Sequence, residues 1–119
     1  MTRKVLVIGL GLIGGSIALA LQKAPETKII GYDMDEKTRQ HAKTLNIVHD
    51  IVTDPKDVAA EVDIIIFGTP VNATLEWMEQ LKTWPLKNKV IVTDTGSTKK
   101  LIMQKAGELR ELGITFIGG

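Results

Sequence analysis

The sequence predicts a doubly wound α/β domain, with helices on both faces of a parallel sheet of about six strands in the order 3-2-1-4-5-6. Short β-branched apolar runs alternate with segments of helical periodicity throughout the 119 residues. A glycine-rich motif also follows the first apolar run directly and opens the first helical segment. No linker or repeat interrupts this pattern, so residues 1–119 are interpreted as one domain.

The first half of the chain predicts three strands and two helices. Residues 4–8 are apolar almost throughout, which is typical of a strand buried on both faces. Residues 12–23 carry apolar side chains at helical spacing, and Pro25 stops this helix. The other predicted elements of this half are a strand at 28–32, a polar helix opened by Asp35 and Glu36 and running to about 45, and a weak strand within 47–52.

The second half continues the alternation. Asp54 and Pro55 predict the cap and first position of a short helix. Residues 62–67, with three consecutive isoleucines, form the strongest predicted strand. The remaining predicted elements are a helix at 72–84, a strand at 89–93, a helix at 97–112 closed by Gly113, and a last strand at 114–117. Trp77 and Trp84 fall on one side of the predicted helix at 72–84, where we expect core packing or a docking surface for another domain.

Composition excludes several classes of function. A net charge of +1 gives no basic field for nucleic acid. The absence of cysteine excludes disulfides, thiol nucleophiles and thiolate metal ligands, and the two histidines have no cluster of carboxylates beside them, so we expect no metal site. No apolar run approaches the roughly 18 residues that span a bilayer. We therefore expect a cytoplasmic protein that binds neither nucleic acid nor membrane.

The motif that carries chemistry is a GxGxxG at residues 9–14, between a buried strand and a helix. Gly9 allows the tight turn, Gly11 lets a pyrophosphate approach the backbone, and Gly14 permits close packing of the helix on the sheet. The free N–H groups and positive end of the helix then face the phosphates. The predicted cofactor-binding residues of this motif are Gly9, Leu10, Gly11, Leu12, Ile13 and Gly14.

Asp33, at the end of the second predicted strand, follows Gly14 by 19 positions. This is where an acid accepts hydrogen bonds from the adenosine ribose hydroxyls, and its charge repels a 2′-phosphate. We therefore expect NAD as the cofactor, while Lys37 and Arg39 keep NADP open. The alternative is a glycine-rich turn in which Asp33 only caps the next helix.

Two further strand ends lie at the edge where ligands bind in this fold. Thr69 and Pro70 follow the fourth strand, and we expect their backbone beside the dinucleotide, although they also suit the start of a helix. Ser97 follows the fifth strand. Its hydroxyl either caps the next helix or points toward the nicotinamide end of the cleft.

Five segments carry a resemblance to a known family: 4–16, Ile30-Gly31-Tyr32-Asp33, Thr69-Pro70, Asp94-Thr95-Gly96-Ser97-Thr98-Lys99, and Phe116-Ile117-Gly118-Gly119. Together they resemble the prephenate and arogenate dehydrogenases of tyrosine biosynthesis, over essentially the whole chain. The double glycine followed by serine and the Asp-x-Gly-Ser-x-Lys segment are fairly specific, whereas the dinucleotide motif alone is not.

The resemblance implies the NAD(P)-binding Rossmann domain of an enzyme that converts prephenate to 4-hydroxyphenylpyruvate, with hydride transfer to NAD. It makes Ser97 the catalytic serine near the nicotinamide and the substrate hydroxyl. In the family, a His-Pro motif, a substrate-binding arginine and a helical dimerisation domain come after the point where this chain stops. We therefore expect cofactor binding without a complete active site, and a homodimer only in the full-length protein.

Two other interpretations remain open at this stage. One is the cofactor domain of an arogenate or β-hydroxyacid dehydrogenase. The other is a non-catalytic nucleotide-sensing module, similar to the regulatory domains of potassium transporters. The segment from Asp94 to Lys99 and the final Gly118-Gly119 argue against the sensing module.

Overall fold

The computed structural model describes residues 2–95 and 99–117. Its six strands are β1 (Arg3–Ile8), β2 (Thr27–Tyr32), β3 (Asp50–Ile51), β4 (Ile64–Phe67), β5 (Ile91–Asp94) and β6 (Thr115–Ile117). They form one sheet in the order β3-β2-β1-β4-β5-β6, and every neighbouring pair is parallel. The predicted fold class and strand order are thereby confirmed.

The helices are α1 (Leu12–Leu21), α2 (Glu36–Thr44), α3 (Val71–Leu81) and α4 (Lys99–Glu111), with a one-turn 3-10 helix at Pro55–Asp57. The Asp54 side chain accepts from the Lys56 N–H and caps the short helix, as predicted. None of the helices that the structure describes is long and apolar enough to cross a membrane.

The end of α3 and the length of β3 depart most from the predicted bounds. α3 ends at Leu81 rather than at 84, because the N–H groups of Thr83 and Trp84 turn back to the carbonyls of Gln80 and Leu81. Pro85 follows directly, and the residue before a proline disfavours helical backbone.

The third strand keeps only two residues of the predicted 47–52. The Ile47 N–H donates to the carbonyl of Ala42 at the end of α2 instead of joining the sheet, and Asn46 before it has a positive φ of 57°. The chain is therefore still completing its turn out of the helix where the apolar pattern alone predicts a strand.

The core lies on both faces of the sheet. Leu6 and Ile8 of β1 belong to one buried cluster, which also contains residues of α3 and α4. Val5 and Val7 of β1 belong to a second cluster, with residues of α1 and α2. Because successive side chains of a strand point to opposite faces, β1 is buried on both sides, as its composition predicts.

A surface ion cluster joins α3 to α4. Lys82 contacts Glu79 at 2.9 Å and Glu108 at 2.5 Å, and Lys105 contacts Glu79 at 2.6 Å. The hydrogen bonds from Lys105 and Lys82 lower the pKa of Glu79 to about 2. Exposed pairs of this kind contribute little to stability.

Candidate functional site

The loop between β1 and α1 contains one position whose backbone conformation favours glycine. Gly9 has a φ of +96°, and its N–H donates to the Tyr32 carbonyl at 2.7 Å. A Cβ placed on Gly11 would meet nothing within 4 Å, so the backbone there is open. Gly11 is also the N-cap of α1, and no side chain caps that helix. The start of α1 therefore offers N–H groups to an anion.

Three glycines from three elements meet behind this loop. A Cβ on Gly14 would overlap the carbonyl oxygen of Gly9, and a Cβ on Gly68 would lie 2.8 Å from the Gly14 Cα and 2.8 Å from that same oxygen. The end of β4 therefore touches both the loop and the first turn of α1. Sequence reasoning missed this role of Gly68, and the available signal was a glycine placed directly after the strongest strand.

Asp33 connects the end of β2 to the glycine loop. Its Oδ2 accepts the N–H of Leu10 at 2.8 Å, and its Oδ1 accepts the N–H of Asp35 at 2.9 Å. Each carboxylate oxygen has a second lone pair that can accept another hydrogen bond. The carboxylate thus holds the loop in place and still has capacity for a ligand.

The start of α2 brings further charge to this edge. The Arg39 guanidinium donates to the Asp33 carbonyl at 2.6 Å and lies 6.0 Å from the centre of the Tyr32 ring. Asp35 caps the helix, and the hydroxyl of Thr38, bonded to its carboxylate at 2.7 Å, lowers the pKa of Asp35. A cation and two carboxylates therefore surround the end of β2.

The segment after β4 is fixed by a pair of hydroxyls. The Thr74 Oγ1 lies 2.7 Å from the Thr69 Oγ1 and donates to the Thr69 carbonyl at 3.1 Å. Thr74 is buried, so this pairing satisfies polar groups inside the protein. Pro70 is the N-cap of α3, which agrees with the expectation that Thr69 and Pro70 suit the start of a helix. The hydroxyl pairing holds Thr69 at the carboxyl edge of the sheet.

Two cavities lie along the carboxyl edge of the sheet. The Asp33 cavity, of about 440 Å³, is lined by Ile8, Gly9, Gly11, Tyr32, Asp33, Met34, Gly68, Thr69, Pro70, Ala73, Glu76, Trp77 and Gln80. The Thr95 cavity, of about 470 Å³, is lined by Leu12, Ile13, Gly68, Thr69, Pro70, Val71 and Thr95. Because they share Gly68, Thr69 and Pro70, the two cavities adjoin at the end of β4.

Most of the predicted site residues meet in this place. Those that line one or both cavities are Gly9, Gly11, Leu12, Ile13, Asp33, Thr69 and Pro70. Gly14 lies behind the loop, and Leu10 buries its side chain while giving its N–H to Asp33. Ser97, which was predicted to bind cofactor and take part in catalysis, lies outside the described residues.

Sequence reasoning missed Thr95. The Thr95 N–H and hydroxyl donate to the Phe67 carbonyl at 3.0 and 3.2 Å, which holds Thr95 in the lining of the Thr95 cavity.

Sequence reasoning also missed the residues of α3 that line the Asp33 cavity, and it treated the two tryptophans alike. Trp84 is buried in the core, whereas Trp77 is half-buried and lines the Asp33 cavity.

The histidines are not part of this site. The Nδ1 of His49 accepts the Ile29 N–H at 2.8 Å, which ties His49 to the sheet. Within 2–95 and 99–117, no group of three His, Cys, Asp or Glu residues could hold a metal ion.

The arrangement fits a dinucleotide. The open backbone at Gly11 and the uncapped start of α1 suit a pyrophosphate, since both leave N–H groups accessible. The Asp33 carboxylate lies where ribose hydroxyls can donate to it, beside a cavity with an aromatic wall. The Thr95 cavity, which adjoins it, is lined by Leu12 and Ile13 of α1 and by Thr95.

Comparisons with known proteins agree with this geometry. Residues 17–119 match the family model described as "Prephenate dehydrogenase, nucleotide-binding domain". The prephenate dehydrogenase of Lactococcus lactis subsp. cremoris is 44% identical over 119 residues, which cover 98% of this chain and 33% of that protein. The chain thus spans about a third of the length of this curated relative.

Two solved structures are similar over nearly the whole chain. Synechocystis arogenate dehydrogenase has a TM-score of 0.85 and 32% identity, covering 98% of this chain and 40% of that one. A prephenate dehydrogenase from A. aeolicus, in complex with hydroxyphenyl propionate and NAD+, has a TM-score of 0.83 and 30% identity, covering 99% of this chain and 41% of that one.

The contact of Gly68 with the glycine loop predicts that a methyl group added at Gly68 destabilises the fold, whereas one added at Gly107 does not. Gly68→Ala should lower the free energy of unfolding by about 1–3 kcal/mol, because the new Cβ collides with backbone that cannot move aside. The matched control is Gly107→Ala in α4, where a Cβ meets nothing within 4 Å and the helix gains about 0.5–1 kcal/mol. Urea denaturation of both variants is the measurement, and equal stabilities would contradict the proposed contact.

Proposed function

The chain belongs to the family of prephenate dehydrogenase nucleotide-binding domains, and we propose that it binds NAD along the two cavities at the carboxyl edge of the sheet. The observation that carries this proposal is the open backbone at Gly11 beside the Asp33 carboxylate. The related A. aeolicus enzyme was solved with NAD+, which supports the choice of cofactor.

The pyrophosphate is assigned to the start of α1. There the N–H groups of the first turn carry the positive end of the helix dipole, and the residues Leu12 and Ile13 of that turn are 89% and 59% exposed. Gly9 and Gly14 act behind the ligand by setting the shape of the loop. Leu10 acts through its N–H bond to Asp33.

The adenosine is assigned to the Asp33 cavity. The Asp33 carboxylate accepts from the ribose hydroxyls with the lone pairs that Leu10 and Asp35 leave free. The same charge opposes a 2′-phosphate, which favours NAD. NADP is the second candidate, because the Arg39 guanidinium lies at the Asp33 carbonyl, close enough to attract a phosphate.

The nicotinamide end is assigned to the Thr95 cavity, which Thr69 and Thr95 both line. When bound, NAD supplies the acceptor for a hydride from the substrate. The protein holds the acceptor at the sheet edge with Thr69 and Pro70, and we assign Ser97 to contact the nicotinamide and the substrate hydroxyl. This role for Ser97 rests on the family motif.

For the whole protein we propose oxidation of prephenate to 4-hydroxyphenylpyruvate and carbon dioxide, with the hydride passing to NAD. Because this chain spans about a third of the length of its curated relative, we assign the remaining substrate-binding groups and the dimer contacts to further chain. Arogenate is the alternative substrate, since a similar structure is an arogenate dehydrogenase. We also propose the cytoplasm as the location.

Binding of the two cofactors tests the role of Asp33. Calorimetric titration should show tighter binding of NAD than of NADP. Asp33→Asn should weaken NAD about tenfold, because hydrogen bonds to a charged acceptor are lost, while NADP gains from the removal of repulsion. Asp54→Asn is the control, since Asp54 caps the 3-10 helix and lines neither cavity. A wild-type chain that prefers NADP would contradict the assignment.

Ser97 is tested by comparing NAD with ADP-ribose, which lacks the nicotinamide. Ser97→Ala should weaken NAD about fivefold, the value of one hydrogen bond, and leave ADP-ribose unchanged. Thr83→Ala serves as the control, because its hydroxyl is exposed and bonds the Gln80 carbonyl. Equal losses for the two ligands would place Ser97 away from the nicotinamide.

A turnover assay tests whether this chain contains a complete active site. The 119-residue chain, saturated with NAD and supplied with prephenate, should form little or no NADH. The reason is that binding one reactant without positioning the other forfeits most of the rate enhancement. Absorbance of NADH is the measurement, with a full-length prephenate dehydrogenase as the positive control. Robust prephenate-dependent NADH formation would show that the chain holds a complete site.

A further inference from the structure

One face of α3 lines the Asp33 cavity. The cavity residues Ala73, Glu76, Trp77 and Gln80 recur at the three- and four-residue spacing of a single helix face. The core-facing residues of the same helix are Thr74, Met78 and Leu81. α3 therefore presents a second, cavity-facing stripe, which its amphipathic pattern alone does not explain.

Trp77 is the apolar centre of that stripe. Its ring meets Tyr32 edge-on at 5.5 Å and 79°, and meets Trp84 at 6.0 Å and 61°. Trp84 is buried beneath it, so the indole of Trp77 has a neighbour on two sides and keeps its remaining surface for the cavity. Edge-to-face contacts of this kind fix ring orientation. The result is an aromatic wall of the cavity, which Met34 also lines.

The polar groups beside Trp77 are mainly acceptors. Asp33, Glu76 and Gln80 all line the cavity, and Glu76, which is exposed, also borders the groove between α3 and α4. Glu79, three residues after Glu76, is instead engaged by Lys82 and Lys105 on the α4 side. Two carboxylates around an apolar wall favour a flat ligand that carries a hydrogen-bond donor, and they disfavour a carbonyl at the same position.

We propose that α3 reads the base of the dinucleotide, with Trp77 as the surface on which adenine lies and Glu76 as the acceptor for its exocyclic amino group. This inference rests on the proposed NAD binding. Asp33 at the ribose and Trp77 at the base lie in the same cavity, so one adenosine can reach both. Trp84 is a positioning residue that acts through Trp77.

The test uses nicotinamide hypoxanthine dinucleotide, in which the amino group of adenine is replaced by a carbonyl. The wild-type chain should bind NAD about fivefold to tenfold more tightly than this analogue, as expected for one hydrogen bond to a charged acceptor. NAD should also quench tryptophan fluorescence, because its base covers Trp77. Nicotinamide mononucleotide, which has no adenine, should leave the fluorescence unchanged at saturation.

Two variants separate the residues. Glu76→Gln should bring the ratio of the two dissociation constants close to one, because an amide can donate to the carbonyl as well as accept from the amine. Glu79→Gln, the same change on the same helix, should keep the wild-type ratio. Trp77→Leu should weaken NAD about tenfold through lost stacking, and Trp77→Phe should recover part of the loss. Circular dichroism establishes that each variant is folded.

The outcomes distinguish this inference from the proposed function. If NAD binds but the analogue binds equally well, α3 does not read the base, although the cofactor assignment stands. An unchanged ratio in Glu76→Gln assigns the discrimination to another group and overturns the role of Glu76. If neither dinucleotide binds, the proposed function fails and this inference fails with it.

Discussion

The approach of Gly14 and Gly68 to the carbonyl of Gly9 determines the shape of the carboxyl edge of the sheet. These three positions bring the end of β1, the first turn of α1 and the end of β4 to backbone contact distance. Any side chain at Gly14 or Gly68 would push α1 or β4 away from the loop. The two cavities share Gly68, so their common boundary depends on the same contact.

The Asp33 side chain belongs both to the framework of the glycine loop and to the proposed ligand site. Its two oxygens hold the N–H groups of Leu10 and Asp35, and thereby attach the glycine loop to the end of β2. A carboxylate held in this way is already positioned when a ribose arrives, which reduces the entropy lost on binding. In the proposed binding mode, its negative charge also opposes the 2′-phosphate of NADP.

The positions of the two tryptophans show what helical periodicity in the sequence does not predict. Apolar spacing predicts one helix through Trp84, but the turn before Pro85 ends α3 at Leu81 and sends Trp84 into the core. Trp77 stays on the helix and lines the Asp33 cavity. A helical pattern shows which residues share a face, yet which partner that face meets depends on neighbouring strands distant in sequence.

The sequence by itself determined the alternation of strands and helices, the parallel strand order and most residues that line the candidate site. These features follow from local patterns: a buried apolar strand, a glycine motif that opens a helix, and an acid at the end of the next strand. Only the tertiary structure revealed the contact of Gly68 with the loop, the bond from Leu10 to Asp33, and the wall that Trp77 forms. Each of these joins residues far apart in the chain, so their proximity depends on how the sheet and helices pack.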